Sequence, residues 1–149
     1  MSKHKDADLI LKLYDLRREA TMREARNWFF SFNPTKVEDF MDVLMSDKSG
    51  YYRMVTSYWD MAASLVNNGA IDPQMFNEAN GEHLFVYAKI EPFIEDLRRE
   101  FNAPQALAHL EKLVKQVPNY EQRLTAIRER MKEMAVRMAQ RQAAAATAS

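Results

Sequence analysis

The chain has 149 residues, 47% of them hydrophobic, with 21 basic and 21 acidic side chains and no cysteine. A single domain of this length buries about two thirds of the surface its unfolded chain exposes, so its core needs no covalent or metal staple. The missing thiols exclude a disulfide framework, a thiolate zinc site and a cysteine nucleophile, and no apolar run approaches the ~18 residues of a membrane span.

The N-terminal segment MSKHKDADLI carries charge where a signal peptide would be apolar, which predicts a cytoplasmic chain without a membrane partner. The balanced charge hides a segregation. Residues 35–96 hold 11 acidic against 4 basic side chains (net −7), whereas residues 119–149 hold 6 basic against 3 acidic (net +3). The basic ends can therefore satisfy the acidic middle within one fold.

Apolar periodicity and the few glycines and prolines divide the chain into helices. The first is expected to start at Asp6 or Asp8 and carry Leu9, Leu13, Leu16 and Ala20 on one stripe. It would run on through the aromatic cluster Trp28, Phe29, Phe30 and Phe32, read as core, to Asn33-Pro34. Thr35 and Glu38 have capping-box spacing for a second, short helix with an acidic outer face, ended by the segment around Gly50.

Tyr51 to Asn68 is the most apolar helix and is predicted to be central. Its remaining face, Thr56, Ser57, Asp60, Ala63, Ser64 and Asn67, is small enough for another helix or a ligand to approach closely. Gly69 supplies a left-handed stop. Asp72 and Pro73 open a fourth helix that Gly81 closes. A fifth carries His83, Tyr87, Ile90, Ile94, Leu97 and Phe101, with a kink expected at residues 88–92 from Pro92.

A sixth runs from Leu107 toward Pro118, and a seventh repeats Tyr120, Leu124, Ile127, Met131, Met134 and Met138 in a heptad-like register. The architecture so predicted is all-α: one helical-bundle domain over residues 1–141, of five to seven helices with a long C-terminal helix. Residues 51–68 are central, 82–101 pack against them, and 142–149 form a disordered alanine-rich tail.

Chemistry is sparse in this pattern. His4, His83 and His109 fall on separate segments and no Glu-x-x-His pair exists, so neither a metal site nor a cofactor is expected; three glycines, at 50, 69 and 81, build no phosphate or dinucleotide loop. The candidate ligand or partner site is Tyr58, Trp59, Asp60, His83, Tyr87 and Arg98, a polar set in an aromatic setting. The simpler alternatives are a solvated His83 in its first helical turn and an Asp60 that is solvated or paired with an arginine.

Basic residues on the first and last helices raise nucleic acid, but the pI near 6.8 and the lack of interleaved aromatics argue against it. In the seventh helix Arg123, Arg130 and Arg137 take g positions and Arg128 an e position, so self-pairing in a homodimer opposes arginine to arginine. Docking on the acidic middle of its own chain, or on an acidic partner, has the better electrostatics.

The stretch SYWDMAASLVNNGAIDPQMF, followed by EHLFVYAKIEPFIEDLRREF, resembles a family of small bacterial all-helical domains of unknown function. The resemblance rests on Trp59 and Asp60, on the turn Gly69, Ile71 and Asp72, and on Pro92 and Arg98; Asp60 stands where the family pattern has Glu. It implies a bacterial all-α protein and transfers no catalytic residue. A protein-protein interaction or structural role is the favoured reading, with a small-ligand or enzyme pocket at Trp59, Asp60 and His83 as the alternative.

Overall fold

Nine α-helices and one 3-10 turn make up the described residues, with no strand. The structure is a computed structural model and describes residues 2–148. The helices are α1 (Lys3–Leu16), α2 (Ala20–Ser31), α3 (Val37–Leu44), α4 (Ser49–Asn67), α5 (Pro73–Ala79), α6 (Glu82–Ile90), α7 (Ile94–Glu100), α8 (Ala108–Lys115) and α9 (Tyr120–Ala148).

Two of the seven expected segments are divided. Pro92 splits one as anticipated, placing a 3-10 turn over Glu91–Phe93 between α6 and α7. The other break, at residues 17–19, lacks a proline or glycine to announce it. Glu19 is extended (φ −57, ψ 144), and its carboxylate accepts from the backbone N–H of Thr21 at 3.0 Å and of Met22 at 2.9 Å, starting a new helix.

Several caps also differ from expectation. Ser2, not Asp6 or Asp8, caps α1, while Asp6 accepts from the Asp72 N–H at 2.9 Å and ties α1 to the turn before α5. At α3 the capping carboxylate is Asp39, accepting from the N–H groups of Thr35 and Lys36 at 2.8 and 3.2 Å, one residue later than the Thr35–Glu38 spacing implied. The segment around Gly50 does separate α3 from α4 through its turn at residues 46–48, but Gly50 itself lies in the first turn of α4. Gly69 does adopt the left-handed conformation (φ 82), and the Ala70 N–H returns to the Leu65 carbonyl at 2.9 Å, closing α4 with a Schellman motif.

α4 is central, burying Val55, Thr56, Trp59, Ala62, Ala63 and Val66 chiefly between α2 and α8. Its small-residue face receives a helix: α8 lies there, with Ala63 fully buried and the Asn67 side-chain amide donating to the His109 carbonyl at 3.0 Å. α6 meets α4 at its first turn, through Glu82 and His83, and then packs on α8 and α9. Of the aromatic cluster, Phe29 is core, Trp28 stacks on Phe32 at 5.2 Å, and Phe30 is exposed, edge-on to Phe85.

The first turns of α9 dock on the same chain. Leu124 and Ile127 are buried, Met131 is partly buried, and the Arg128 guanidinium donates to the Ala88 carbonyl at 3.0 Å and to Glu91 at 3.3 Å. Every described residue from Lys132 to Ala148 is exposed. α9 nonetheless stays helical through Ala148, across the alanine run where a disordered tail was expected, as befits the residue with the best helix propensity.

Candidate functional site

The six predicted site residues occupy three settings. Trp59 and His83 share the first. The Trp59 indole N–H donates to the Glu82 carboxylate at 3.1 Å, and the same carboxylate accepts from Arg26 Nε at 2.9 and 3.1 Å and faces Arg17 at 3.7 Å. Arg17 also lies over the Trp59 ring, 5.6 Å from its centroid, a cation–π contact. α1, α2, α4 and α6 thus converge on one carboxylate.

His83 is fully buried between Trp59 and Phe76, not solvated in its first turn. Its Nε2 donates to Asn77 Oδ1 at 2.9 Å, leaving Nδ1 buried without a partner among the described residues. Burial, helped by the charge of Arg123, depresses its pKa to about 4. The imidazole therefore folds neutral. Because the unfolded histidine titrates near 6.5, the unfolded state binds the proton first, so stability should fall as pH drops from about 6.5 to about 4 and then level off. Urea titrations across this range check it: His83→Gln, which retains a donor for Asn77, should flatten the slope.

Tyr58 belongs beside this cluster, its hydroxyl donating to the Leu13 carbonyl; burial pushes the phenol up to about 12 and keeps it a donor. Asp60 faces the other way. Its carboxylate accepts from the Leu110 N–H at 2.9 Å, capping α8, whose own N-cap Leu107 (φ 55) has no side-chain acceptor. Asp60→Ala should therefore lower stability by about 0.5–2 kcal/mol, the usual loss of a helix cap, and speed amide exchange at Leu110.

Tyr87 and Arg98 form the third setting. Both hold Glu111, Tyr87 by a hydrogen bond of 2.9 Å and Arg98 at 3.3 Å, while Arg98 Nε and Nη2 donate to the Ala106 carbonyl and pin the loop before α8. Burial raises the Glu111 pKa, but the bonds from Tyr87 and Arg98 outweigh it and hold the carboxyl below its usual range.

Sequence reasoning missed two residues. Glu82 reads as an ordinary first-turn acid, and nothing in the sequence shows it to be the hub of an arginine pair. Lys89 had a legible signal, a lone charge within LFVYAKI. Only 6% exposed, it donates from Nζ to the carbonyls of Phe29, Phe30 and Phe32 at 2.7, 2.9 and 2.6 Å, satisfying the C-terminal end of α2. Burial lowers its pKa to about 8, which leaves the ammonium charged at neutral pH, as three carbonyl acceptors require.

None of the six predicted residues lines the cavity of about 260 Å³ between α9, α6 and residues 33–35, or that of about 460 Å³ between α1 and α5. Among the described residues no group of three or more His, Asp or Glu side chains is placed to hold a metal, and no helix is long and apolar enough to cross a membrane. Residues 3–117 match the family model described as Domain of unknown function (DUF4760). The chain belongs to the DUF4760 family. The DUF4760 match contains the stretch on which the sequence resemblance rests, takes in α1 to α8 with all three settings above, and ends before α9. No curated protein and no solved structure matches the chain.

Proposed function

We propose that this DUF4760 chain is a protein-interaction module in which α1 to α8 form a platform and α9 projects as the contacting arm. One observation carries the reading: α9 leaves the body at Met131 and keeps Met134, Val136 and Met138 each 56% exposed on a continuous helix. In proteins most helical stability comes from tertiary packing of an amphipathic face, and this stripe has no such cover beyond Met131. The polar side chains of the body are meanwhile spent on its own structure, Asp60 on α8, Glu82 on two arginines and Lys89 on α2. The setting we propose is the bacterial cytoplasm, on the strength of the cysteine-free composition and the resemblance described above.

Affinity capture from bacterial lysate tests this reading, with the whole chain as bait beside a Met134→Glu/Met138→Glu variant. Specific proteins should be recovered with the parent and lost with the variant, whose thermal melt should be unchanged because both residues are exposed. Recovery of the same proteins by both baits would defeat the reading.

A ligand pocket at Trp59 and His83, without Asp60, which is turned to α8, has one observation in its favour, the buried and unpartnered nitrogens Arg17 Nε and His83 Nδ1 near Trp59. Its test is a fragment screen by NMR, in which a binder must move the His83 ring resonances.

A further inference from the structure

The apolar stripe of α9 does not end where the body stops covering it. Leu124, Ile127 and Met131 continue at helical spacing into Met134, Ala135 and Met138, and the last three have no covering element. At the foot of this free stripe lies the cavity of about 260 Å³, whose wall includes Pro34, Ala88, Pro92, Phe93, Met131 and Ala135. Stripe and cavity form one surface, a groove-like track ending in a hole.

The charges around the track are sorted. At about 100° per residue, Arg130, Arg137 and Arg141 fall along one edge of the stripe and Arg128 and Lys132 along the other, while Glu129 and Glu133 fall on the opposite face. Arg130, Arg137 and Arg141 make no ion pair with any described residue, and Lys132 reaches only Glu129, at 3.9 Å. An apolar seam with three unpaired arginines along one edge, and on the other Lys132 beside an Arg128 already held by Glu91, is complementary to an apolar helix flanked by anions.

We propose that the free stripe of α9 and the cavity at its foot receive an amphipathic α-helix of another protein, with acidic residues flanking its apolar seam and one apolar side chain seated in the cavity. The inference rests on the interaction-module reading and gives the partner its chemistry. A second copy of this chain fits poorly, because a parallel or antiparallel pair of α9 helices sets arginine edge against arginine edge. A lipid surface fits poorly as well, since the free stripe offers methionine and alanine with no tryptophan, phenylalanine or leucine to anchor it. Methionine seams adapt to differing apolar partners, and Ala135 lets a partner backbone come close.

The test titrates the whole chain into labelled synthetic helical peptides that share leucine at a and d positions and carry Glu, Gln or Lys at e and g. Fluorescence anisotropy should show the Glu peptide binding at least about tenfold more tightly than the Gln peptide, weakening as salt rises, with the Lys peptide inert. Met134→Ser/Met138→Ser and Arg137→Glu/Arg141→Glu should each cut that affinity about tenfold or more, with unchanged melting curves.

Equal binding of the three peptides, or binding indifferent to both variants, would overturn the proposal. So would a dimer in light scattering that Met138→Ser dissociates, which assigns the stripe to a second copy. Stripe-dependent sedimentation with phosphatidylglycerol vesicles, or stripe-dependent shift of duplex DNA, would overturn it in favour of those ligands. If lysate capture still yields Met138-dependent proteins while the Glu peptide fails, the module reading stands and the acidic-helix assignment falls; if both fail, both fall.

Discussion

Trp59→Ala should lower folding stability by about 3–5 kcal/mol, read as a shift of the urea midpoint with an unchanged slope. The indole is 1% exposed and sits where four helices meet, touching Tyr58, Phe76, His83 and the guanidinium of Arg17. Truncation removes that packing, opens a cavity rimmed by rigid rings that cannot collapse, and takes one hydrogen bond from the Glu82 carboxylate. Trp59→Phe separates these effects, since it refills most of the volume without restoring the N–H donor. A loss of less than about 1 kcal/mol for Trp59→Ala would show that the four-helix junction does not hold the fold together.

Glu82→Ala should cost a comparable amount, about 3–5 kcal/mol, for an electrostatic reason. The carboxylate is 9% exposed and neutralises Arg26 at 2.9 Å and Arg17 at 3.7 Å, whose own side chains are 21% and 15% exposed. Removing the anion leaves two poorly hydrated guanidinium groups facing each other with no counter-charge. Glu82→Gln, which keeps the shape and one acceptor oxygen, should lose less. The combined replacement Glu82→Leu/Arg17→Met/Arg26→Met should recover much of the stability, because the desolvation cost disappears together with the attraction. Trp59→Ala and Glu82→Ala should combine to less than the sum of their separate losses, because the two side chains share a hydrogen bond; thermal melts of the four proteins complete that cycle.

The elements were legible wherever local chemistry decides them. Helical spacing of apolar residues marked the central Tyr51–Asn68 segment, Gly69 marked its left-handed stop, and Pro92 marked the division between α6 and α7, because dihedral preference and apolar periodicity act within a few residues. The break at Glu19 escaped, since a glutamate that caps its own following turn has the same one-letter signature as one in mid-helix. The alanine run after Gln142 reads as a disordered tail in the sequence, while α9 extends as helix through Ala148, where alanine's own propensity acts.

The candidate site was legible only as residue types. Trp59 and His83 lie together, their rings 5.7 Å apart, but Asp60, Tyr87 and Arg98, grouped with them on sequence, do not join them. The fold turns Asp60 to the opposite side of α4 to cap α8, and turns Tyr87 and Arg98 to Glu111. A hydrogen-bond partner lying 50 residues away in the chain leaves no trace in local spacing.

By itself the sequence determined that this is an all-α chain without thiol chemistry, with an acidic middle and a basic, methionine-seamed last helix. Those properties are sums over residues or depend on near neighbours. Tertiary structure alone decided which carboxylate is the hub, that Lys89 closes α2, and that α9 is covered only as far as Met131. Each of these depends on which distant surfaces desolvate one another, and burial changes the worth of a charge by more than any local preference does.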